Sequence, residues 1–286
     1  NGGLGTSMNC TFAKSLLEVK KGLTFLDITL EQNRENQLVL MDSFYTHGQT
    51  AEYLEKKGIG NIIQFEQSCY PRILLETNKP LDGNNKNYYY PPGHGDLLQS
   101  LCDTGTLKKL IDLGIKYAFV SNIDNLGATI DDSILNDFIQ SGADFAIELT
   151  PKTVSDTKGG TLIKYDGKYK MFEVAQCSPD RINDFTEFKL FNTNNIWIKL
   201  EAIEKVINSN YLNDIDLIIN PKKLEDGRDC IQLEYAIGGM VSFFDTIRCY
   251  LVPRSRFIPV KRNDDLKIVR SDKYSLGDDW KLLINK

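Results

Sequence analysis

A glycine-rich stretch at the start of the chain has the residue types that bind polyphosphates. Gly2, Gly3 and Gly5 leave backbone N–H groups open to a ligand, with Leu4 as the one large side chain among them. Lys14 follows and is long enough to reach back over the stretch. Amide groups and an ammonium group together hold phosphate oxygens. These residues therefore predict nucleotide binding, although an ordinary glycine-rich turn is the better interpretation of GGLG taken alone.

Two familiar glycine motifs are excluded by the spacing. A dinucleotide-binding fingerprint needs a third glycine three residues after the second, and Met8 stands at that position. A P-loop needs its lysine directly after the last glycine, whereas Lys14 lies well beyond Gly5. The stretch therefore predicts a nucleotide-binding loop of another kind.

An acidic residue follows an apolar run that is typical of a buried strand. The run is KYAFVS, residues 116–121, and Asp124 lies just beyond it. Open α/β sheets bind ligands at the carboxyl ends of their parallel strands, and Mg²⁺ takes one or two carboxylates together with substrate phosphate oxygens. Asp124 is thus the natural candidate for a Mg²⁺ ligand, and a turn or helix cap is the alternative.

The composition sets limits on the class of protein. The 286 residues are 41% hydrophobic and carry a net charge of −5, so no global field favours nucleic acid or an anionic membrane. No stretch approaches the ~18 apolar residues of a membrane span. Six scattered cysteines indicate reduced thiols, and two histidines make a histidine-based metal site improbable. We therefore expect a cytoplasmic protein that binds neither nucleic acid nor membrane.

Helical and strand patterns alternate along much of the chain, which favours an α/β fold with a parallel sheet and crossover helices. The turn signal Asp166-Gly167 predicts a hairpin over residues 161–174. Thr50 and Asp96 are expected to cap helices. The predicted helices are 23–31, 51–57, 96–101, 107–113, 131–141, 200–208 and 231–244, and the other predicted strands are 37–41, 61–65, 116–121, 144–149 and 215–219.

Seven motifs, in this order, resemble those of the eukaryotic-type UTP–glucose-1-phosphate uridylyltransferases. The motifs are NGGLGTSM (1–8), QSCYPR (67–72), PPGHGD (91–96), SNIDNLGATID (121–131), KGGTLI (158–163), FNTNN (191–195) and VPRSRFIPVK (252–261). The family usually has Gly-Cys-Lys-Gly-Pro-Lys-Ser where residues 9–15 here read NCTFAKS. Co-linearity of this many motifs over the whole chain is far more specific than any one of them.

The resemblance implies a Rossmann-like, GT-A-like nucleotide-diphospho-sugar transferase fold, with a mixed but mainly parallel central sheet flanked by helices. Residues 1–286 would form a single catalytic domain. The strand that normally precedes the glycine loop and the carboxyl-terminal β-helix domain of the family would both be missing. Because larger assemblies of the family use that domain, we expect a monomer or weak dimer.

The resemblance also implies a role for each site residue. Lys14, Lys222 and Asp124 would be catalytic, with Asp124 holding Mg²⁺, Lys14 neutralising the leaving pyrophosphate and Lys222 acting on the attacking phosphate. Residues that would bind the nucleotide are Gly2, Gly3, Leu4, Gly5, Gln67 and Gly93. Residues that would orient the sugar phosphate are His94, Asn122, Gly160, Glu173 and Asn194. Arg254 and Arg256 are given no catalytic role and are read as surface charge.

The reaction implied is the reversible conversion of UTP and glucose 1-phosphate to UDP-glucose and pyrophosphate. Such a transfer needs positioning and charge neutralisation rather than a covalent intermediate. Two alternatives stay open. One is an enzyme for another hexose 1-phosphate, such as galactose or N-acetylglucosamine, and the other is a non-catalytic UDP-sugar-binding protein.

Overall fold

A computed structural model of the chain describes residues 1–5, 8, 10–153, 156, 159–178, 187–209 and 211–285. The helices are α1 Phe25–Gln32, α2 His47–Lys56, α3 Leu97–Asp103, α4 Thr106–Asp112, α5 Asp132–Ser141, α6 Leu200–Asn208 and α7 Asn263–Arg270. The strands are β1 Glu18–Lys20, β2 Leu23–Thr24, β3 Val39–Asp42, β4 Ile63–Glu66, β5 Tyr70–Pro71, β6 Ile73–Leu74, β7 Lys79–Pro80, β8 Tyr89–Tyr90, β9 Tyr117–Val120, β10 Phe145–Pro151, β11 Gly160–Tyr165, β12 Lys168–Glu173, β13 Leu190–Lys199, β14 Ile218–Lys223, β15 Asp229–Glu234, β16 Ile247–Leu251, β17 Tyr274–Leu276 and β18 Leu282–Ile284. Helices and strands are mixed along the chain, so the expected α/β class is confirmed.

A four-stranded sheet with the order β16-β10-β13-β9 lies at the centre of the fold. Phe145 and Ile147 of β10 and Ile196 of β13 are fully buried in the same apolar cluster as Ile203 of α6. Burial of this kind stabilises a sheet–helix interface by roughly 25 cal/mol per Å² of apolar surface. The sheet is therefore the rigid element from which the neighbouring loops extend.

The prediction of a mainly parallel sheet is wrong. β3 pairs with β4 and β10 with β16 in parallel, and the other strand pairs of the described residues are antiparallel. The reason lies between β10 and β13, because the β11–β12 hairpin stands between these two strands in the chain. β13 returns antiparallel to β10 and inserts between it and β9.

Elements with strong local signals lie where the sequence predicts them. The helix over 200–208 is α6, and the hairpin turns at Asp166 and Gly167, whose φ values are 49° and 76°. The helix over 131–141 begins one residue later, because Asp131 is its cap and accepts from the N–H groups of Ser133 and Ile134. Within this helix Phe138 is fully buried, whereas Ile139 is 41% exposed.

The predicted helix over 231–244 is wrong. Its first residues belong to β15, and Ile237–Phe243 form a 3₁₀ helix. Glycine suits position 238 because the space is tight: a Cβ there would lie only 3.0 Å from both Asn192 Nδ2 and Met171 Cε. Residues 231–244 are largely apolar because they are packed on both faces. A buried helix and a buried strand have the same apolar pattern, so the sequence does not distinguish them.

The FNTNN motif is part of β13. Two further expectations are corrected. Thr50 lies inside α2, and its hydroxyl donates to Thr46 O over 2.9 Å. The Asp96 carboxylate makes no cap hydrogen bond and instead accepts from Ser68 N (2.6 Å) and Tyr235 Oη (2.6 Å). Within the described residues, no helix is long and apolar enough to cross a bilayer.

Candidate active site

The glycine stretch forms a compact loop that is tied to Lys14. Lys14 N donates to Gly3 O over 3.0 Å, so the backbone of the lysine closes the loop. Gly5 has a φ of 63°, a left-handed conformation that favours glycine. Leu4 is half-buried and Gly3 is exposed, and a Cβ added to Gly3 would meet none of the described residues within 4 Å. The backbone of Gly3 is therefore accessible to a ligand.

Gln67 joins this loop to the PPGHGD motif. Its side chain is buried, and Oε1 accepts from Gly93 N over 3.3 Å. A Cβ on Gly2 would lie 2.1 Å from Gln67 Nε2, so only glycine lets the amide approach the loop this closely. An amide group offers both a donor and an acceptor, which is what the imide edge of uracil requires. The structure thus brings Gly2, Gln67 and Gly93 together.

His94 is held in one tautomer. Its Nδ1 accepts from Ile237 N over 3.1 Å, so the neutral ring carries its proton on Nε2. Burial and the nearby charge of Lys261 lower the pKa of His94 to about 4. The ring is therefore neutral near pH 7 and can donate one hydrogen bond to an acceptor such as a phosphate oxygen.

Asp124 is the centre of a charge cluster. Its Oδ2 lies 2.5 Å from Lys14 Nζ and 2.9 Å from Lys261 Nζ. Burial alone would raise the pKa of Asp124, but the charges of Lys261 and Lys14 outweigh it and lower the pKa to about 2. Val260 N donates to Asp124 O over 3.1 Å, and Lys14 also donates to Val260 O. Two cations and one anion give a net positive site, suited to phosphate.

The arrangement fits a Mg²⁺ ion shared with a nucleotide. Among the described residues, no three His, Cys, Asp or Glu side chains are placed to hold a metal ion by themselves. Asp124 supplies one carboxylate, which is the usual protein contribution where substrate phosphates and water complete the coordination of Mg²⁺. A bound ion would have to displace at least one of the two lysines from that carboxylate.

Lys261 is a site residue that the sequence analysis missed. It closes the VPRSRFIPVK motif, but nothing in its own neighbourhood distinguishes it from a surface lysine, and its side chain is 54% exposed. Its partner Asp124 is 137 positions away in the chain. Only the tertiary structure brings the two residues together.

Asn122 lies close to this cluster through the backbone. It is half-buried, and its carbonyl accepts from Asn125 N over 2.9 Å. The Asn125 side chain accepts from Ile258 N over 2.8 Å and donates to Arg256 O over 3.1 Å. The SNIDNLGATID and VPRSRFIPVK motifs are therefore held against each other.

Gly160 and Glu173 lie together in a second group, and Met171 and Gly238 connect them to Asn192 beside Asn194. A Cβ on Gly160 would lie 2.7 Å from Glu173 Oε1, and burial raises the pKa of Glu173 to about 7. Asn194 has a φ of 58°, and its Oδ1 accepts from Asn192 Nδ2 over 2.9 Å. The 3₁₀ helix 237–243 links this group to His94, because Gly238 packs on Asn192 and the preceding residue binds the imidazole.

Lys222 does not join either group. It lies on β14 opposite Cys230, and its side chain is exposed. No hydrogen bond or ion pair within the described ranges connects it to Lys14 or Asp124.

Comparisons with known proteins agree on one family. The model of the UTP–glucose-1-phosphate uridylyltransferase family matches residues 1–286. UTP–glucose-1-phosphate uridylyltransferase 2 of Dictyostelium discoideum is 44% identical over 302 residues, covering 100% of this chain and 60% of its own length. The enzyme of that name from Solanum tuberosum is 45% identical over 301 residues, covering 100% and 63%.

Solved structures give the same result. The UDP-glucose phosphorylase of Trypanosoma brucei superposes with a TM-score of 0.92 at 35% identity, covering 100% of this chain and 66% of that one. A variant UDP-glucose pyrophosphorylase of Leishmania major, solved with UDP-glucose, has a TM-score of 0.90 at 35% identity, covering 100% and 67%. The chain spans about three fifths of the length of the two curated relatives. It belongs to the UTP–glucose-1-phosphate uridylyltransferase family.

Proposed function

We propose that this chain carries the nucleotidyl-transfer site of an enzyme that converts UTP and glucose 1-phosphate to UDP-glucose and pyrophosphate, reversibly. The proposal rests on the cluster of Lys14, Asp124 and Lys261. This cluster lies beside the hydrogen bond between Gln67 and Gly93. One end of the nucleotide-binding surface then offers the Gln67 amide, which can pair with uracil. The other end offers a site of net positive charge for phosphate. The Leishmania major relative solved with UDP-glucose supports this substrate class.

Transfer is an in-line displacement. An oxygen of the sugar phosphate attacks the α-phosphorus of UTP, the new P–O bond forms, and pyrophosphate leaves from the opposite side. The proteins that catalyse such reactions mainly hold the reactants in line and neutralise charge. Lys14 is anchored to the glycine loop through Gly3 O, and its ammonium group neutralises the leaving pyrophosphate.

We assign the second phosphate-binding lysine to Lys261 rather than Lys222. Lys261 already contacts Asp124 and is half-exposed, so its ammonium group can turn to a phosphate oxygen without leaving the site. Neutral His94 donates from Nε2 to a phosphate oxygen of the sugar substrate. Asn122 orients the sugar phosphate in this proposal.

Mg²⁺ is part of the proposal, with Asp124 as its protein ligand. When bound, the ion neutralises phosphate charge and helps to align the reacting groups. The residues themselves bind the nucleotide, orient the sugar phosphate and supply the two ammonium groups.

Gly160, Glu173 and Asn194 form the sugar-binding side. The half-buried carboxylate of Glu173 and the amide of Asn194 offer acceptors and a donor for hydroxyl groups. Another hexose 1-phosphate remains the alternative substrate, because one hydroxyl configuration changes only one or two of these hydrogen bonds. The proposal also includes pyrophosphate as a product, a Rossmann-like, GT-A-like fold and a cytoplasmic location. The six free cysteines are consistent with that location.

The test is pyrophosphate-dependent breakdown of UDP-glucose, UDP-galactose and UDP-N-acetylglucosamine in the presence of Mg²⁺, followed by UTP release. We expect UDP-glucose to be the best substrate, and Lys14→Ala to remove most of the activity. Preference for another UDP-sugar would identify the alternative enzyme. Tight UDP-glucose binding without turnover of any of the three would identify a UDP-sugar-binding protein and refute the proposal.

A further inference from the structure

A buried carboxylate outside the proposed site has an unusually complete set of partners. Glu148 of β10 is fully buried. Its Oε1 accepts from Trp197 Nε1 (3.0 Å) and Arg256 Nη2 (2.6 Å). Its Oε2 accepts from Asn195 Nδ2 (2.9 Å) and Arg256 Nε (2.8 Å). Four donors on two oxygens fix both position and rotamer of this side chain.

One branch of the network leads to Lys261. Arg256 binds Glu148 through two nitrogens, and its Nη2 also donates to Thr129 O over 2.9 Å. Its own carbonyl accepts from Asn125 Nδ2, next to Asp124. Residues 254–261, here the Lys261 segment, are thus held at Arg256 by Glu148 and run on from there to Lys261. The reading of Arg256 as surface charge is wrong, since the residue is only 9% exposed.

The other branch leads to Asn194. β10 and β13 pair at Ile147–Ile196 and again at Leu149–Asn192, so Glu148 stands opposite residues 193–195. These residues are here the Asn194 bulge. Thr193 Oγ1 donates to Glu148 O over 2.7 Å, and Asn195 binds the carboxylate. The bulge holds the positive φ of Asn194, and bulges commonly aim a side chain at a site.

Stability alone does not explain a buried pair of this kind. Desolvation of two charges offsets most of their attraction, and apolar replacements of similar size are often equally stable. A charged pair with bidentate geometry does, however, specify one relative position of the elements that it joins. Here the pair joins β10 to the segment that carries Lys261, and Asn195 ties the bulge that carries Asn194 to the same carboxylate.

We propose that Glu148 is a positioning residue. Its single carboxylate fixes the positions of both the Asn194 bulge and the Lys261 segment, so that the sugar and the phosphate are aligned with each other. This inference rests on the proposed function. Displacement of a reacting group by about 1 Å lowers a rate by roughly 10²-fold. Loss of the network should therefore reduce kcat while nucleotide affinity is kept, because among the described residues no hydrogen bond joins Gln67 or Gly93 to this network.

The main variant is Glu148→Gln combined with Arg256→Met. It removes both charges together, keeps an acceptor for Trp197 and leaves no unpaired buried charge. Arg256→Lys is the second variant, because it keeps the charge but cannot bind the carboxylate in the same two-nitrogen geometry. Arg248→Met is the matched control, since Arg248 of β16 pairs with Asp137 at the surface.

Each protein is assayed for UDP-glucose breakdown with pyrophosphate, for UDP and UDP-glucose affinity by calorimetry, and for thermal unfolding. We expect the double variant to unfold cooperatively and bind UDP within about twofold of wild type, with kcat reduced by roughly 10²-fold. It should also lose any preference for UDP-glucose over UDP. The control should match wild type in every measurement.

Normal kcat in the double variant would overturn the inference. Parallel loss of UDP affinity and kcat would overturn it as well, because it would indicate general damage to the fold. If the double variant does not fold, Arg256→Lys decides by the same criteria. An inactive wild type would refute the proposed function separately, and the ratio of UDP to UDP-glucose affinities would still decide the role of Glu148.

Discussion

Lys261→Ala is the substitution that most directly tests the assignment of the site. Lys261 contacts Asp124 at 2.9 Å, yet 54% of its side chain is exposed, whereas Lys14 on the same carboxylate is 12% exposed. Water therefore screens the Lys261 pair, which should contribute about 1 kcal/mol or less to stability. Because Lys14 remains to neutralise Asp124, the variant should fold normally.

The effect on turnover should be much larger. The proposed assignment puts phosphate oxygens in place of water around Lys261, and removal of a group aimed at transition-state charge typically costs ~10²–10³-fold, or about 2.7–4 kcal/mol. We expect a fall of this size in kcat for pyrophosphate-dependent breakdown of UDP-glucose. UDP affinity, measured by calorimetry on the same preparation, should change little.

Lys222→Ala is the control, because the sequence analysis gave that lysine the same role and the structure leaves it exposed on β14. Its kcat should stay far closer to wild type than that of Lys261→Ala. The reverse order, with Lys222→Ala severely impaired and Lys261→Ala active, would refute our assignment and restore the sequence-based one.

Three other predictions follow from the geometry and charges. Gly95→Ala would place a Cβ 2.5 Å from the backbone oxygen of Tyr235, and should lower the free energy of unfolding by about 1–3 kcal/mol; an unchanged denaturation midpoint would contradict this. Burial raises the pKa of Glu173 from 4.5 to about 7, so folding stability should fall as pH rises from 4.5 to 7. Glu173→Gln should be more stable than wild type above pH 7 by up to about 3 kcal/mol, with little difference near pH 4, and denaturation at both pH values is the check. Asp124→Asn should still bind UDP through Gln67 but lose ~10²-fold or more in kcat, and wild-type turnover at ordinary Mg²⁺ concentration would place the catalytic carboxylate elsewhere.

Local signals were sufficient for elements whose conformation depends on neighbours in sequence. Asp166 and Gly167 both adopt positive φ, a conformation that short polar residues and glycine tolerate. The hairpin could therefore be predicted from these two residues. The helix α6 was predicted with correct bounds because its apolar residues recur on one face. The family was identified for a related reason, since each motif is a short, contiguous run.

The tertiary structure decided the features that depend on pairing between distant residues. Residues 231–244 are apolar enough for either a helix or a strand followed by a 3₁₀ helix. Packing around Gly238 favours the strand followed by the 3₁₀ helix. The FNTNN motif is polar, yet its Asn195 is fully buried, and the carboxylate of Glu148 compensates for that burial. A buried polar side chain is acceptable only where such a partner exists, and the partner lies 47 positions away.

The charge cluster follows the same rule. Lys14, Asp124 and Lys261 come from three separate parts of the chain. The sequence contexts of Lys14 and Asp124 predict phosphate and Mg²⁺ binding, whereas Lys261 has an ordinary surface interpretation in its own context. Their selection as a group requires the fold to bring them within hydrogen-bond distance, because charges interact strongly only at short range and away from water. The sequence by itself determined the family and the local elements, and the three-dimensional pairing of distant charges determined that Lys261 joins Lys14 at Asp124.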